Sequence, residues 1–315
     1  MSNDGGFGFD HESTSGEVLR GKDLKGIRAL VTGASSGIGV ETARALAAHG
    51  AELVLAVRDV TAGKTVAQDI ARTTGSCPQV EALDLGSLQS VRALAERLGG
   101  APLHLLIANA GIMACPQGRT EDGLERQIGI NHFGHFALTL ALTPNLLAEG
   151  PARVIMLSSA AHVLAGVDCD DLHFDRRSYD KWIAYAQSKT ANALFAMEYD
   201  RRMSPHGISA WSVMPGRIQT GLARHITQDD LKGMAPGPKA RPPKSVEQGA
   251  ATTLWAATEA RLEGQGGLYL EDCAIAPRWT PDVGARIGVA DHARDPVAAE
   301  RLWTISEHVV GMTLP

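Results

Sequence analysis

The sequence predicts an α/β fold: a doubly wound parallel sheet with helices on both faces, built as a single domain. Three observations carry this. Short strand-like runs alternate with helical runs along the chain, the strand-like runs are apolar nearly throughout rather than at every second residue, and the first of them ends in a glycine-rich turn that opens a helix. A strand buried on both faces must be apolar on both, and parallel neighbours need helical crossovers to reach each other. No shift in composition marks a second domain, and no internal repeat is visible.

The elements follow in order. Thr14 and Glu17 have capping-box spacing ahead of Val18 and Leu19, so a short helix is expected there. It belongs to an extension, residues 1–20, whose acidic, glycine-rich start reads as partly mobile; the catalytic domain then spans 21–315. IRALVTG is the first strand and GVETARALAAHG the first long helix, closed by Gly50. AELVLAVRD, QVEALDL, LHLLIANAG, ARVIMLSS, ISAWSVMPG and GGLYLE continue the strands. TAGKTVAQDIART, SVRALAERL, AYAQSKT with its surroundings and VEQGAATTLWAATEA continue the helices, and ERQIGINHFGHFALTLAL is expected as one long helix. Two segments break the rhythm, 160–183 and 217–245. Both follow strand ends on the side where open α/β sheets bind ligands, and loops of this length read as functional covers.

With 315 residues, 44% hydrophobic, the chain is long enough for a sizeable core. Its net charge of −5 and lack of any Lys/Arg run longer than a pair argue against nucleic acid or an anionic membrane as partner. The four cysteines, at 77, 115, 169 and 273, have neither CxxC nor regular spacing, so free thiols are expected. The N-terminus lacks the cationic start and apolar core of a signal peptide, and no stretch suits a membrane span; a cytoplasmic protein is expected.

TGASSGIG (32–39) joins the first strand to the first long helix. Glycines at 33, 37 and 39 permit a tight turn and a close approach by a diphosphate to the helix N-terminus, where free N–H groups and the dipole favour anions. Tyr185 and Lys189 stand four apart in a run of helix formers and so share a face. On spacing alone the ordinary reading, a packed tyrosine beside a solvated lysine, is favoured over a catalytic pair. Acid–base work near neutral pH requires lowering a phenol whose ordinary pKa is about 10; a three-unit shift is about 4 kcal/mol, while a solvated ammonium at 4 Å supplies about 1 kcal/mol. A working pair must therefore be shielded from water.

Along the chain stand TGASSGIG, Asp84-Leu85, Asn109-Ala110-Gly111, Asn131, Ser158-Ser159, Tyr185-x-x-x-Lys189 and Pro215-Gly216. From about Lys25 onward this ordered set resembles the short-chain dehydrogenases/reductases. NHFGHFALT (131–139), the insertion before the tyrosine, AYAQSKTANALF (184–195) and the ending GLYLEDCAIAP with RLWTISEHVVG look most like the retinol-dehydrogenase-like branch. The resemblance implies a Rossmann-like fold, a homodimer or homotetramer, and NAD(P)-dependent hydride transfer between an alcohol and a ketone or aldehyde. It makes Tyr185 the proton donor or acceptor and has Lys189 lower its pKa and bond the nicotinamide ribose. Ser159, in preference to Ser158, polarises the carbonyl, and Asn131 holds a water linking Lys189 to solvent.

For the cofactor it implies Gly33, Ser35, Ser36, Gly37, Ile38 and Gly39 at the diphosphate. Asp84 and Leu85 lie at the adenine, the backbone of Asn109, Ala110 and Gly111 along the adenosine, and Pro215, Gly216, Ile218 and Thr220 past the carboxamide. Arg58, just after the second strand, can pair with a 2′-phosphate, so NADP(H) is preferred; Asp59 keeps NAD(H) open. No metal is expected, since His162, His173, Cys169, Asp168, Asp170 and Asp171 lack standard ligand spacing. The other readings are a catalytically idle nucleotide-binding sensor or scaffold, and an isomerase or dehydratase on the same fold.

Overall fold

The computed structural model describes residues 8–227, 230, 242–281 and 286–315. Its strands are β1 (Arg28–Thr32), β2 (Glu52–Val57), β3 (Gln79–Ala82), β4 (Leu105–Ala108), β5 (Ala152–Leu157), β6 (Ile208–Met214), β7 (Tyr269–Glu271) and β8 (Ala274–Ile275). They form one sheet in the order β3-β2-β1-β4-β5-β6-β7-β8, parallel throughout except for β8, which pairs antiparallel with β7 at the edge. The winding reverses at β1, which pairs with β2 on one side and β4 on the other. Crossovers leave that point in opposite directions and open a crevice at the strand C-termini.

The helices are α1 (Ser15–Val18), α2 (Gly37–Ala48), α3 (Val60–Thr74), α4 (Leu88–Leu98), α5 (Arg126–Ile128), α6 (Gly134–Leu147), α7 (Lys181–Met203), α8 (Val246–Thr258) and α9 (Pro296–Val310). In β1, Leu30 enters a core with Leu94 of α4, Phe136 of α6, Leu194 of α7 and Trp303 of α9. Its neighbours Ala29 and Val31 enter the opposite core with Leu46 of α2, Ile70 of α3 and Leu254 of α8. Successive strand residues point to opposite faces, and both faces of the central strands are covered, so those strands are apolar along most of their length. In α1, Thr14 and Glu17 make both bonds of a capping box.

Two departures from the sequence reading bear on the site. The expected long helix over 125–142 is broken: between α5 and α6 lies a five-residue π-helical turn, Gly129–Phe133, which contains Asn131. At the C-terminus, α9 seats Trp303 in parallel stacking on Phe195 (5.9 Å) and edge-on to Phe136 (4.9 Å), covering part of the α6–α7 face. Of the expected loop 217–245, residues 228–229 and 231–241 lie outside the described residues, as do residues 1–7 of the N-terminal extension. No helix among the described residues is long and apolar enough to cross a membrane.

Candidate active site

The glycine turn lies at the reversal point. Gly33 and Gly37 have φ of +68° and +59°, a region that side chains with a Cβ disfavour. A Cβ on Gly33 would stand 2.9 Å from Ala110 Cα, so the ends of β1 and β4 touch there; one on Gly37 would stand 3.2 Å from Thr220 Cγ2. Ser36 takes the N-cap position of α2, yet its hydroxyl makes no capping bond. That leaves the first amides of a 12-residue helix to be met from outside, which suits a diphosphate. Ser35 sits half-buried in the same turn. Ile38 and Ile218 meet over Gly249 of α8, where an added Cβ would lie 3.3 Å from the first and 2.8 Å from the second.

Other cofactor candidates gather along the same sheet edge. Arg58 follows β2 directly and is exposed. Asp59 accepts the Ala62 N–H at 3.0 Å and so caps α3. After β3, half-buried Asp84 accepts from Gly86 N at 2.8 Å, and Leu85 is buried against Gly134. After β4, Asn109 Nδ2 donates to Thr32 O (2.8 Å) and Ala110 N to Thr32 Oγ1 (2.9 Å). A Cβ on Gly111 would stand 3.3 Å from Asn131 Oδ1 and 3.5 Å from Lys189 Nζ. After β6, Pro215 precedes Gly216, whose φ is +105°, and Thr220 accepts from Leu222 N at 3.3 Å.

The catalytic candidates converge at the ends of β5 and α7. Asp180 accepts from Trp182 N and Ile183 N and so starts α7, which places Tyr185 and Lys189 on consecutive turns of one buried face. The Ser159 side chain faces the Tyr185 phenol closely enough to lower its pKa. Ser158 instead donates to Lys189 O at 2.8 Å. Lys189 Nζ donates to Leu157 O at 3.0 Å and lies 5.8 Å from the Tyr185 ring centre. Asn131 is fully buried: its Oδ1 accepts from Ile112 N, its Nδ2 donates to Ile112 O and Ser188 Oγ, and its backbone oxygen accepts from His135 Nδ1.

Burial governs the charges. It pushes the Tyr185 phenol up to about 12, with the Ser159 side chain pulling the other way. It brings the Lys189 ammonium down to about 8. Around neutral pH the chain's own groups thus hold a protonated phenol beside a lysine that is still mostly charged.

Residues without a sequence signal also take part. Ser188, one turn past Tyr185, links Asn131 to the Tyr185 backbone oxygen. His135 spans from Asn131 O to Thr32 Oγ1 (both 2.9 Å), tying the π-turn to the end of β1. Met214 packs beside Tyr269, and Trp182 bonds Asp230. Among the described residues no three His, Cys, Asp or Glu side chains gather as for a metal. His173 accepts the Glu125 amide at 3.2 Å.

A family model described as short chain dehydrogenase matches residues 28–231. The short-chain dehydrogenase/reductase prx1 of Penicillium rubens is 40% identical over 308 residues, which cover 94% of this chain and 90% of that protein. Retinol dehydrogenase 12 of Homo sapiens is 38% identical over 292 residues, covering 92% and 88% respectively. Among solved structures, the Pseudomonas aeruginosa RhlG/NADP active-site complex superposes with a TM-score of 0.64 at 29% identity, covering 79% of this chain and 95% of the other. Sequence and fold agree, and the chain belongs to the short-chain dehydrogenases, a family of NAD(P)-using oxidoreductases with retinol-dehydrogenase-like members among its relatives.

Proposed function

We propose that this chain is an NADP(H)-dependent alcohol dehydrogenase or carbonyl reductase, with residues 21–315 as one catalytic domain and Tyr185 as its acid–base group. The observation that carries the reading is that three groups meet at one place: the Lys189 ammonium lies 5.8 Å from the Tyr185 ring centre, both side chains are buried, and the Ser159 side chain acts on the Tyr185 phenol and lowers its pKa. When bound, the nicotinamide supplies or takes up the hydride. Tyr185, held as a phenol, donates its proton to the substrate oxygen as charge develops there, and accepts it back in the reverse direction. Ser159 donates to the same oxygen and polarises it. The Lys189 ammonium stabilises the phenolate that remains.

Arg58 supports NADP(H), because it is exposed just beyond β2 while Asp59 is engaged in capping α3. The substrate is a small alcohol, ketone or aldehyde, and the assembly a homodimer or homotetramer. The test is a spectrophotometric screen of carbonyls and alcohols with NADPH and NADH. Tyr185→Phe is expected to abolish turnover and leave NADPH binding nearly unchanged; substantial remaining turnover overturns the assignment. Arg58→Ala is expected to raise KM for NADPH roughly tenfold while sparing NADH, in line with one lost charge-assisted bond. Equal effects on both overturn the cofactor preference.

A further inference from the structure

The backbone oxygen of Ser159 accepts three donors. One is the His162 backbone N–H at 3.0 Å, an ordinary 3₁₀ turn bond. The others are side chains: His162 Nδ1 at 2.8 Å and the Tyr269 hydroxyl at 3.1 Å. Tyr269 lies on β7, 110 residues further along the chain, and both side chains are buried. The Tyr269 hydroxyl is also 3.1 Å from His162 Nδ1, and the two rings are 4.7 Å apart.

The tautomer of His162 follows from its other nitrogen. Nε2 lies 3.1 Å from the Ala290 N–H, which can only donate, so Nε2 accepts and the ring proton is on Nδ1, aimed at Ser159 O. Burial brings this imidazole down to about 4, so it stays neutral at neutral pH. On the far side of the same residue, Ser159 Oγ accepts from Ala161 N at 3.2 Å, and the side chain acts on the Tyr185 phenol. Carbonyl and hydroxyl are thus both anchored.

We propose that His162 and Tyr269 are positioning residues, which fix the Ser159 peptide so that its hydroxyl meets the Tyr185 phenol in the reactive register. This rests on reading Ser159 and Tyr185 as the acid–base pair. A turn needs only the backbone bond; two further buried donors on one carbonyl restrict its rotation, and orientation of this kind acts on the chemical step more than on cofactor affinity.

The test uses the full chain and three substitutions. Tyr269→Phe removes one hydroxyl and keeps the ring. His162→Leu removes the donor, and His162→Asn restores an amide N–H near the position of Nδ1. Tyr269→Phe and His162→Leu are expected to lower kcat roughly tenfold at unchanged KM for NADPH, with His162→Asn recovering most of it. A second readout does not need turnover. Burial raises Tyr179, Tyr185, Tyr199 and Tyr269 alike, so the tyrosinate step in an ultraviolet titration that Tyr185→Phe removes is the one that belongs to Tyr185. Tyr269→Phe is expected to move that step upward as the Ser159 side chain shifts from the phenol it stabilises.

Variants with kcat within twofold of the parent and an unmoved step overturn the proposal. So does a fall in kcat that follows lost thermal stability while the step stays in place. If the parent turns over no carbonyl or alcohol, the acid–base reading fails, and the titration still decides whether the pair positions Ser159.

Discussion

The side-chain amide of Asn131 donates to the Ser188 hydroxyl at 2.9 Å, and that hydroxyl donates to the Tyr185 backbone oxygen at 2.7 Å. The same side chain exchanges bonds with both the N–H and the C=O of Ile112, so the π-turn, the strand-end loop and α7 are joined through one residue. Asn131→Ala leaves these buried partners unmet, at about 1–3 kcal/mol for a group so orphaned. We expect a loss of about 2–4 kcal/mol in urea unfolding, together with reduced kcat. Unfolding within about 1 kcal/mol of the parent would show that the site tolerates water in place of the amide.

Lys189 costs stability in return for its charge. Its folded pKa of about 8 lies below the ordinary 10.5, because burial disfavours the ammonium. Between those values the unfolded chain holds more protons, so this contribution to stability rises with pH across the window; the penalty is complete below about 8, near 3 kcal/mol. Lys189→Met removes the penalty and one hydrogen bond, while Leu157 O keeps its bond from Asn192 Nδ2 at 2.9 Å. The variant is expected to be inactive and about 1–3 kcal/mol more stable at pH 7, with the gain shrinking as the pH approaches 9.5. A less stable variant at pH 7 contradicts the account.

The parts of the fold and site that were legible share a physical cause. β1 and β5 are apolar except for Arg28, Thr32 and Arg153 because α-helices cover both their faces, and that requirement is written along most of each strand. The glycine turn, Ser159 and the Tyr185–Lys189 spacing each lie at or just past a strand end or within one helix, so local pattern reaches them. The π-turn was not legible. GINHFG carries no proline, and its two glycines weaken a helix without specifying a π-turn; the turn is accompanied by long-range bonds from Asn131 to Ile112 and from His135 to Thr32. Tyr269 was hidden for the same reason: its relation to Ser159 arises from sheet topology across 110 residues. The seat of α9 depends on Trp303 meeting Phe195 and Phe136, which no periodicity in α9 alone announces.

Three buried histidines make the fold sensitive to acid. Burial brings His132 down to about 3 and both His135 and His162 to about 4, against an ordinary 6.5. His132 shows why: Ser306 Oγ donates to Leu302 O and so accepts from His132 Nε2, which leaves Nδ1 buried without a partner. From about pH 6.5 down to 4 the unfolded chain binds more protons, so stability falls as pH falls, by up to about 4 kcal/mol per unit for three sites. Glu125 and Asp200, both raised by burial, offset part of this. His132→Gln keeps a donor for Ser306 and removes one titration. Its urea-unfolding free energy between pH 5 and 6 is expected to be shallower by about 1.4 kcal/mol per unit. An unchanged slope would mean that His132 is reached by protons in the folded state.

Gly39 is a glycine for reasons of space. It lies within α2 and, unlike Gly33 and Gly37, has no positive φ. Helix propensity alone would make alanine better there by about 1 kcal/mol. A Cβ at this position would stand 2.5 Å from Asn109 Nδ2 and 2.7 Å from Gly33 O. Neither yields easily, since Asn109 Nδ2 is bonded to Thr32 O and Gly33 is part of the turn itself. Gly39→Ala is therefore expected to lose about 1–3 kcal/mol to overpacking and to weaken NADPH binding by displacing the turn. Gly16→Ala is the control: it lies in α1 with nothing within 4 Å of an added Cβ, and is expected to be neutral or slightly stabilising. Thermal melts and NADPH fluorescence titrations of the two variants decide the matter. Equal stability would show that the crowding at Gly39 relaxes at no cost, and that the contact between helix and turn does not hold the cofactor-binding edge in place.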